Sequence, residues 1–164
     1  MAGVRGGGAG AGEAGPTPPN PAFEADVREG FARQGAMAHL GAELMRVEPG
    51  YVEIALPFRQ EVTQQHDYIH GGVIATIADT AGGFAAFSLM PAGTYPLTVE
   101  FKINLLAPAR GERVIARARV KRPGRTLTVT EGEVFAVDGG TERLCATMLQ
   151  TIICLPIDGG SGRD

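Results

Sequence analysis

The fold of this chain is limited above all by one segment, His70–Met90, which reads HGGVIATIADTAGGFAAFSLM and is apolar on nearly every side. The segment is too long for one strand, so it predicts a helix that must be buried over most of its surface. No uninterrupted apolar run in the chain approaches the roughly 18 residues that a membrane helix requires. The cover for this helix is therefore expected to come from the rest of the chain.

Much of the remaining chain alternates between apolar and polar residues, which predicts strands with one buried face, as in an antiparallel sheet. In Thr98–Pro108 the alternation places Val99 and Phe101 on the face opposite Thr98. The sequence Asp-Gly-Gly at 138–140 predicts a hairpin turn between the last two strands. The strands are expected over Ala42–Val47, Tyr51–Pro57, Thr98–Pro108, Glu112–Lys121, Thr126–Val137 and Arg143–Leu155.

Glycine and proline are concentrated at the ends of the chain. Residues 1–22 hold 7 of the glycines and 4 of the prolines, and they predict a disordered tail, as residues 157–164 do at the other end. Residues 23–156 have an ordinary globular composition and are numerous enough to bury the core of one domain. The first helix is predicted over residues 21–38, with Asn20 as its cap.

The predicted order of elements is a helix, two strands, the buried helix and four further strands. Because each strand has one apolar face and the buried helix needs cover, a single curved sheet wrapped around that helix satisfies both. The chain is therefore expected to be an α+β protein with the hotdog fold, in which an antiparallel sheet of about six strands surrounds one long buried helix.

Composition argues against several classes of protein. The formal net charge of −3 gives no support for nucleic-acid binding. Cys145 and Cys154 fall in one predicted strand about 30 Å apart, too far for a disulfide. With the three histidines they form no zinc-ligand spacing. We expect a reduced, cytoplasmic protein that binds neither a metal nor a membrane.

Asp79 is the only charged residue between His70 and Pro91. A carboxylate inside an apolar helix is costly unless it is paired, hydrogen-bonded or functional. Helical spacing places it on a side formed by small residues, where a ligand or a second helix can approach closely. Either Asp79 is a functional group, or it is a structural residue whose carboxylate is satisfied by Thr76 or Thr80.

The start of the buried helix is a second candidate. Gly71 and Gly72 leave their backbone N–H groups unblocked by side chains, at the positive end of the helix dipole. Such groups can bind the oxygen of a polarised carbonyl, which would make both glycines substrate-binding residues. Because glycine pairs are common before helices, a simple turn is the alternative interpretation.

This region resembles the hotdog acyl-CoA thioesterases, in particular the phenylacetate-degradation (PaaI-like) branch, and the resemblance covers most of residues 31–155. It implies hydrolysis of an acyl-CoA thioester at a dimer interface, with no metal or organic cofactor, because coenzyme A is part of the substrate. It rests on the segments FARQGAMAHLGAEL, QQHDYIHGG, ATIADTAGG and VEFKINLLAPARGE, in which an acidic residue follows the motif histidine by nine positions.

The resemblance also implies roles for single residues. Asp79 matches the acidic residue of the family, which acts as the nucleophile or as the base that activates water. Gly71 matches the residue whose N–H polarises the thioester carbonyl, and Thr98 matches a hydroxyl residue that orients water near the carboxylate. His70, the motif histidine, is expected to support the loop through a hydrogen bond, with a purely structural role as the alternative.

Gln64 falls where many relatives have Asn, a side chain that positions the thioester or the attacking water. Because the chain departs from the family there, Gln65 and His66 are further candidates for part of that role. In the family one subunit supplies the groups that polarise the carbonyl, and its neighbour supplies the carboxylate and the hydroxyl. A homodimer, or a tetramer made of two dimers, is therefore expected.

Residues 109–125 carry seven basic side chains against one acidic side chain, in a chain whose net charge is negative. The planar guanidinium group of arginine suits the phosphates of coenzyme A. Arg122 and Arg125, which flank a Pro-Gly turn, are the predicted phosphate contacts. For the arginines within the preceding strand, a solvated outer face is an equally good interpretation.

Two other functions stay open at this point. Hydratases of this fold resemble one another through an Asp followed five residues later by a His, whereas Asp67 precedes His70 by three residues and no His follows Asp79. A non-catalytic acyl-CoA binding protein would not need a carboxylate in the apolar helix. Neither the acyl preference nor the choice between dimer and tetramer follows from the sequence.

Overall fold

A computed structural model describes residues 16–157. The tails predicted at 1–22 and 157–164 lie for the most part outside these described residues. Between residues 16 and 157, no helix is both long enough and apolar enough to cross a bilayer. The elements are α1 (Phe23–Ala32), α2 (Gly35–Leu40), β1 (Glu43–Glu48), β2 (Tyr51–Pro57), a 3-10 turn (Gln60–Val62), α3 (Gly71–Phe87), β3 (Thr94–Leu105), β4 (Arg113–Arg122), β5 (Leu127–Asp138) and β6 (Thr141–Pro156).

The six strands form one antiparallel sheet in the order β1-β2-β4-β5-β6-β3. α3 packs against this sheet, and its apolar side chains form the core together with the strand residues that face it. Ile54, Leu56 and Ile77, for example, are completely buried. This arrangement confirms the predicted hotdog fold, with its six-stranded sheet and its long buried helix.

The alternating pattern predicted the buried face of β2 correctly. β2 buries Val52, Ile54 and Leu56, and it pairs with β4 in antiparallel register. The predicted hairpin joins β5 to β6, where Gly139 and Gly140 have φ values of 54° and 78°. A two-residue hairpin turn of type I′ requires positive φ at both positions, which explains the two glycines.

The helix predicted over residues 21–38 is instead two helices. α1 begins at Phe23, and the buried Asn20 side chain accepts a hydrogen bond from the backbone just before it. Gln34 has an extended backbone and separates α1 from α2. This change of direction carries Met37 of α2 into the core, where it is 1% exposed.

The face predicted for Thr98 is wrong, because β3 contains a bulge. The residues on either side of Val99 pair with Ile152 and Thr151, so Val99 is one residue too many for the ladder. Such a bulge redirects the side chains that precede it. It shifts the alternation by one position and places Thr98 on the α3 side of the sheet, the side to which Phe101 also belongs.

β3 ends the sheet, and much of the face predicted to be buried is exposed in the single chain. Val99, Phe101 and Leu105 are 54%, 43% and 56% exposed. No strand lies beyond β3 in the described part of the chain. Such an apolar edge with unpaired backbone groups invites pairing with another chain.

Candidate active site

The first turn of α3 lies beside a groove of about 420 Å³, which we call the Gly71 groove. Because α3 begins at Gly71, the N–H of this residue has no partner within the helix. No other group among residues 16–157 accepts a hydrogen bond from it, so it can donate to a ligand. The groove is lined by Gln64, Tyr68, Ile69, Gly71, Ile74, Leu105, Leu106, Ala107, Pro108 and Ala109.

The structure separates the two glycines that the sequence analysis treated together. His70 caps α3, and its Nδ1 accepts a hydrogen bond of 2.9 Å from the N–H of Gly72. The N–H of Gly72 therefore already has a partner in the chain itself, whereas its predicted use is in binding a carbonyl oxygen. The hydrogen bond of His70 is of the supporting kind that was predicted, and Gly71 is left as the donor at this helix start.

Of the three candidates that precede α3, Gln64 alone lines the Gly71 groove. Its Oε1 accepts a hydrogen bond from the N–H of His66. The side chains of Gln65 and His66 are exposed and lie outside the groove. The structure thus brings Gln64 to Gly71 and leaves the other two side chains in solvent.

Asp79 lies further along α3, beside a second cavity of about 160 Å³, which we call the Asp79 cavity. Its Oδ1 accepts a hydrogen bond of 2.7 Å from Thr98 Oγ1 and another from Gln150 Nε2. Within residues 16–157 no group donates to Oδ2, which leaves this oxygen for substrate or water. The cavity is lined by Gln34, Asp79, Thr80, Gly83, Phe84, Pro96, Leu97 and Thr98.

Neither threonine considered as a structural partner of Asp79 hydrogen-bonds to it. The Thr76 hydroxyl donates to a backbone carbonyl one turn earlier in α3, at 2.8 Å. The Thr80 hydroxyl lies 3.5 Å from Gln34 Oε1. The carboxylate is held instead by side chains of the sheet, so the position of Asp79 depends on the tertiary structure.

Sequence analysis missed Gln150, the second donor to Asp79. Gln150 lies in β6 and is 1% exposed, in the same inward-facing row as Ala146 and Met148. The pattern contained a usable signal, because an amide within an apolar inward-facing row must find hydrogen-bond partners inside the protein.

Gly71 and Asp79 are separated by eight positions on one helix, which at 1.5 Å per residue places them about 12 Å apart along its axis. One thioester carbonyl cannot contact an N–H and a carboxylate at this separation. A single chain therefore presents two incomplete halves of a site, one at each of these residues.

The basic segment divides into paired and unpaired cations. Lys121 and Arg119 both donate to Glu131, and these hydrogen bonds hold the pKa of the Glu131 carboxyl below its usual value. Arg122 and Arg125 are exposed, and no acidic side chain within residues 16–157 forms an ion pair with them. The two predicted phosphate contacts are therefore available to an anionic ligand.

A larger groove of about 510 Å³ is formed by outward-facing residues of the sheet. It contains none of the residues that the motifs single out, and several of its cations are paired with carboxylates, as Arg119 is with Glu131. We therefore place the candidate active site at α3. The residues of the outer groove include Tyr51, Lys102, Asn104, Arg117, Arg119, Glu131, Glu133, Thr147 and Leu149.

The sheet wrapped around α3 defines the hotdog class of proteins, and sequence comparison specifies the family. The pattern of the family described as Thioesterase superfamily matches residues 66–143. This region runs from the loop before α3 to the start of β6, so it contains Gly71, Asp79 and Thr98 but neither Gln64 nor Gln150.

A thioesterase family protein from Silicibacter pomeroyi is 48% identical, with a TM-score of 0.81 over 82% of this chain and 98% of that chain. The proofreading thioesterase EntH of Klebsiella pneumoniae is 26% identical over 71% of this chain and 84% of its own length. The E. coli PaaI protein from the phenylacetic acid degradation operon shares the fold, at 19% identity and a TM-score of 0.71 over 80% of this chain and 91% of that chain. The chain belongs to the thioesterase superfamily and is a thioester hydrolase.

Proposed function

We propose that this protein hydrolyses acyl-CoA thioesters at a site shared by two copies of the chain, with Asp79 as the catalytic carboxylate. The main support is the state of that carboxylate. Thr98 and Gln150 fix one oxygen, whereas the other has no donor among the described residues. A carboxylate kept for packing alone would be expected to have both oxygens satisfied.

In the proposed reaction the N–H of Gly71 donates to the thioester carbonyl oxygen and stabilises the negative charge that develops there. Asp79 Oδ2 either removes a proton from water, whose oxygen attacks the carbonyl carbon, or attacks that carbon itself and forms an anhydride that water opens. In both routes the C–S bond breaks, the CoA thiolate leaves and takes up a proton, and the free acid remains. Thr98 orients the carboxylate, and Gln64 positions the thioester.

The distance between the two halves of the site is the reason for proposing a second copy. A thioester that accepts a hydrogen bond from Gly71 of one copy reaches Asp79 of the other. The β3 edge supplies the surface, because the same edge of a second copy would cover Val99, Phe101 and Leu105 and would pair with the unsatisfied backbone groups. The homodimer is then the smallest active unit.

Coenzyme A is proposed as the carrier because of charge. Arg122 and Arg125 offer exposed guanidinium groups that suit its phosphates. The Asp79 cavity of about 160 Å³ is close in size to a cavity of about 150 Å³ that binds benzene, so an aryl or short alkyl group would fit. The proposed chemistry needs no metal or organic cofactor, and a cytoplasmic location is part of this proposal because acyl-CoA thioesters are intracellular substrates.

Thiol release from a panel of acyl-CoAs tests the proposal, with short, medium, long, phenylacetyl and hydroxybenzoyl groups. We expect Asp79→Asn to lower kcat/KM by about a hundredfold or more. Glu29→Gln, which alters an exposed carboxylate on α1, is the control and should leave kcat/KM unchanged. A folded Asp79→Asn protein with full activity would refute the role of Asp79. Tight acyl-CoA binding without any hydrolysis would favour a binding protein.

A further inference from the structure

Gln150 connects the interior of the sheet to the carboxylate proposed to react. Its Nε2 donates to Asp79 Oδ1 and lies 3.1 Å from the Asp79 backbone oxygen and 3.1 Å from Thr98 Oγ1. Its Oε1 accepts a hydrogen bond of 3.1 Å from Thr130 Oγ1. Gln150 and Thr130 are each 1% exposed. A buried amide with partners at both ends has a single orientation in which all of them are satisfied.

The chemistry of these partners determines that orientation. An ionised carboxylate accepts hydrogen bonds and cannot donate them, so the NH₂ group of Gln150 must face Asp79. The carbonyl oxygen of the amide then faces β5, where the Thr130 hydroxyl is its donor. Thr130 therefore orients Gln150, and Gln150 in turn holds Asp79.

Gly82 provides the space that this amide occupies. It lies three residues after Asp79, on the same side of α3. A Cβ at this position would overlap Gln150 Oε1 and would lie 2.8 Å from Thr130 Oγ1. Glycine within a helix weakens the helix, so the room that Gln150 needs explains why a glycine stands there.

We propose that Gln150 is a positioning residue for thioester hydrolysis, which holds Asp79 Oδ1 so that Oδ2 faces the Asp79 cavity. The inference rests on the proposed function, because it requires Asp79 to be the reacting carboxylate. With the hydrogen bond from Thr98 alone, the Asp79 carboxylate could still rotate about its Cβ–Cγ bond. A second donor from β6 fixes the plane of the group as well as its distance from the sheet.

A double-mutant cycle tests this proposal. Gln150→Met keeps the length of the side chain and removes both polar ends. Because it removes a hydrogen bond to a charged group, it should lower kcat about tenfold to a hundredfold, with KM within about twofold of wild type. In an Asp79→Asn background the same substitution should change kcat by less than about twofold, since no reacting carboxylate is left to orient. A purely structural role would lower activity in both backgrounds alike.

Substitutions of two matched threonines on β5 test the role of Gln150 even if the Gln150→Met protein does not fold. Thr128 and Thr130 lie on the same buried face and are 3% and 1% exposed. We expect Thr130→Val to lower kcat about threefold to tenfold, because a lost neutral hydrogen bond is worth about that much. Thr128→Val should lower Tm by about as much as Thr130→Val does, but it should leave kcat unchanged.

The outcomes separate this inference from the proposed function. A wild-type kcat for Gln150→Met, or equal losses of kcat in the two threonine variants, overturns the role of Gln150. Loss of activity in Asp79→Asn together with full activity in Gln150→Met leaves the proposed function intact and removes only the positioning role. Full activity in Asp79→Asn refutes both.

Discussion

The first turn and the third turn of α3 carry the two halves of the candidate site, and they are built in opposite ways. At Gly71 the candidate group is a backbone N–H that helix geometry places without help from a side chain. At Asp79 it is a side chain whose position depends on Thr98 and Gln150, from two strands of the sheet. Substitutions in the sheet that disable the Asp79 half should therefore leave the Gly71 half intact.

Within the Gly71 half, the largest expected effect comes from removing the N–H of Gly71 without removing the helix. Proline is favoured at the first helical position, and His70 already has the extended backbone that a residue before proline prefers (φ −62°, ψ 137°). Gly71→Pro should lower kcat about a hundredfold relative to Gly71→Ala, because it removes a donor to the developing oxyanion. Thiol release under saturating substrate measures this ratio.

Gly71→Ala is the matched control because it keeps the N–H. The new Cβ in either variant meets the side chain of Leu105, at 2.6 Å from its Cδ1, so this contact is common to both variants. Equal activities of the two variants would show that the N–H takes no part in catalysis.

A mixture of two inactive variants tests whether the halves belong to different copies. An Asp79→Asn chain paired with a Gly71→Pro chain has both defects in one site and none in the other. With random pairing in a symmetric dimer, about a quarter of the wild-type activity should return when the variants are co-expressed. If a mixture shown to contain mixed dimers recovers no activity, the Gly71 N–H and the Asp79 carboxylate act from the same chain. The division of the site between two copies would then be wrong.

The two halves also differ in how far the sequence predicted them. Gly71 follows from local sequence, since a glycine pair at the start of an apolar helix is visible without any structure. The partners of Asp79 come from distant strands: the bulge at Val99 reversed the predicted face of Thr98, and Gln150 lies 71 positions from the carboxylate. The fold itself was predictable because its signals, the alternation in the strands and the apolar helix, are repeated over many residues.

Substitutions at two neighbouring glycines test how strongly the third turn of α3 depends on its contacts with the sheet. Nothing lies within 4 Å of a Cβ at Gly83, whereas one at Gly82 displaces the Gln150 amide. Gly83→Ala should raise the free energy of unfolding by about 0.5–1 kcal/mol through helix propensity. Gly82→Ala should lower it by about 1–3 kcal/mol, because a buried hydrogen-bonded group loses its partner. Urea unfolding measures both, and equal gains would mean that Gln150 moves aside freely.

The smallest expected effect concerns the half of the site to which the proposed substrate, an acyl-CoA, would bind through its phosphates. Leu127 of β5 directly follows the turn that carries Arg122 and Arg125. It pairs with Ile153 of β6, and Ile153 also pairs with Leu97 of β3. The turn is therefore at the Thr98 end of the sheet in the same chain, about 10 Å away across two strand spacings. This location predicts that the phosphates bind to the copy that supplies the carboxylate.

Substitution of both Arg122 and Arg125 by Ala should raise KM for an acyl-CoA about fivefold and leave kcat unchanged, since each exposed charge contact contributes about 0.5 kcal/mol. The effect should shrink as salt concentration rises, because exposed charges are screened. Arg28→Ala with Arg33→Ala removes the same charge from α1 and the residue that follows it, and serves as the control. An unchanged KM in the Arg122 and Arg125 variant would mean that the phosphates lie elsewhere, and the Gly71 half would then be the place to look for them.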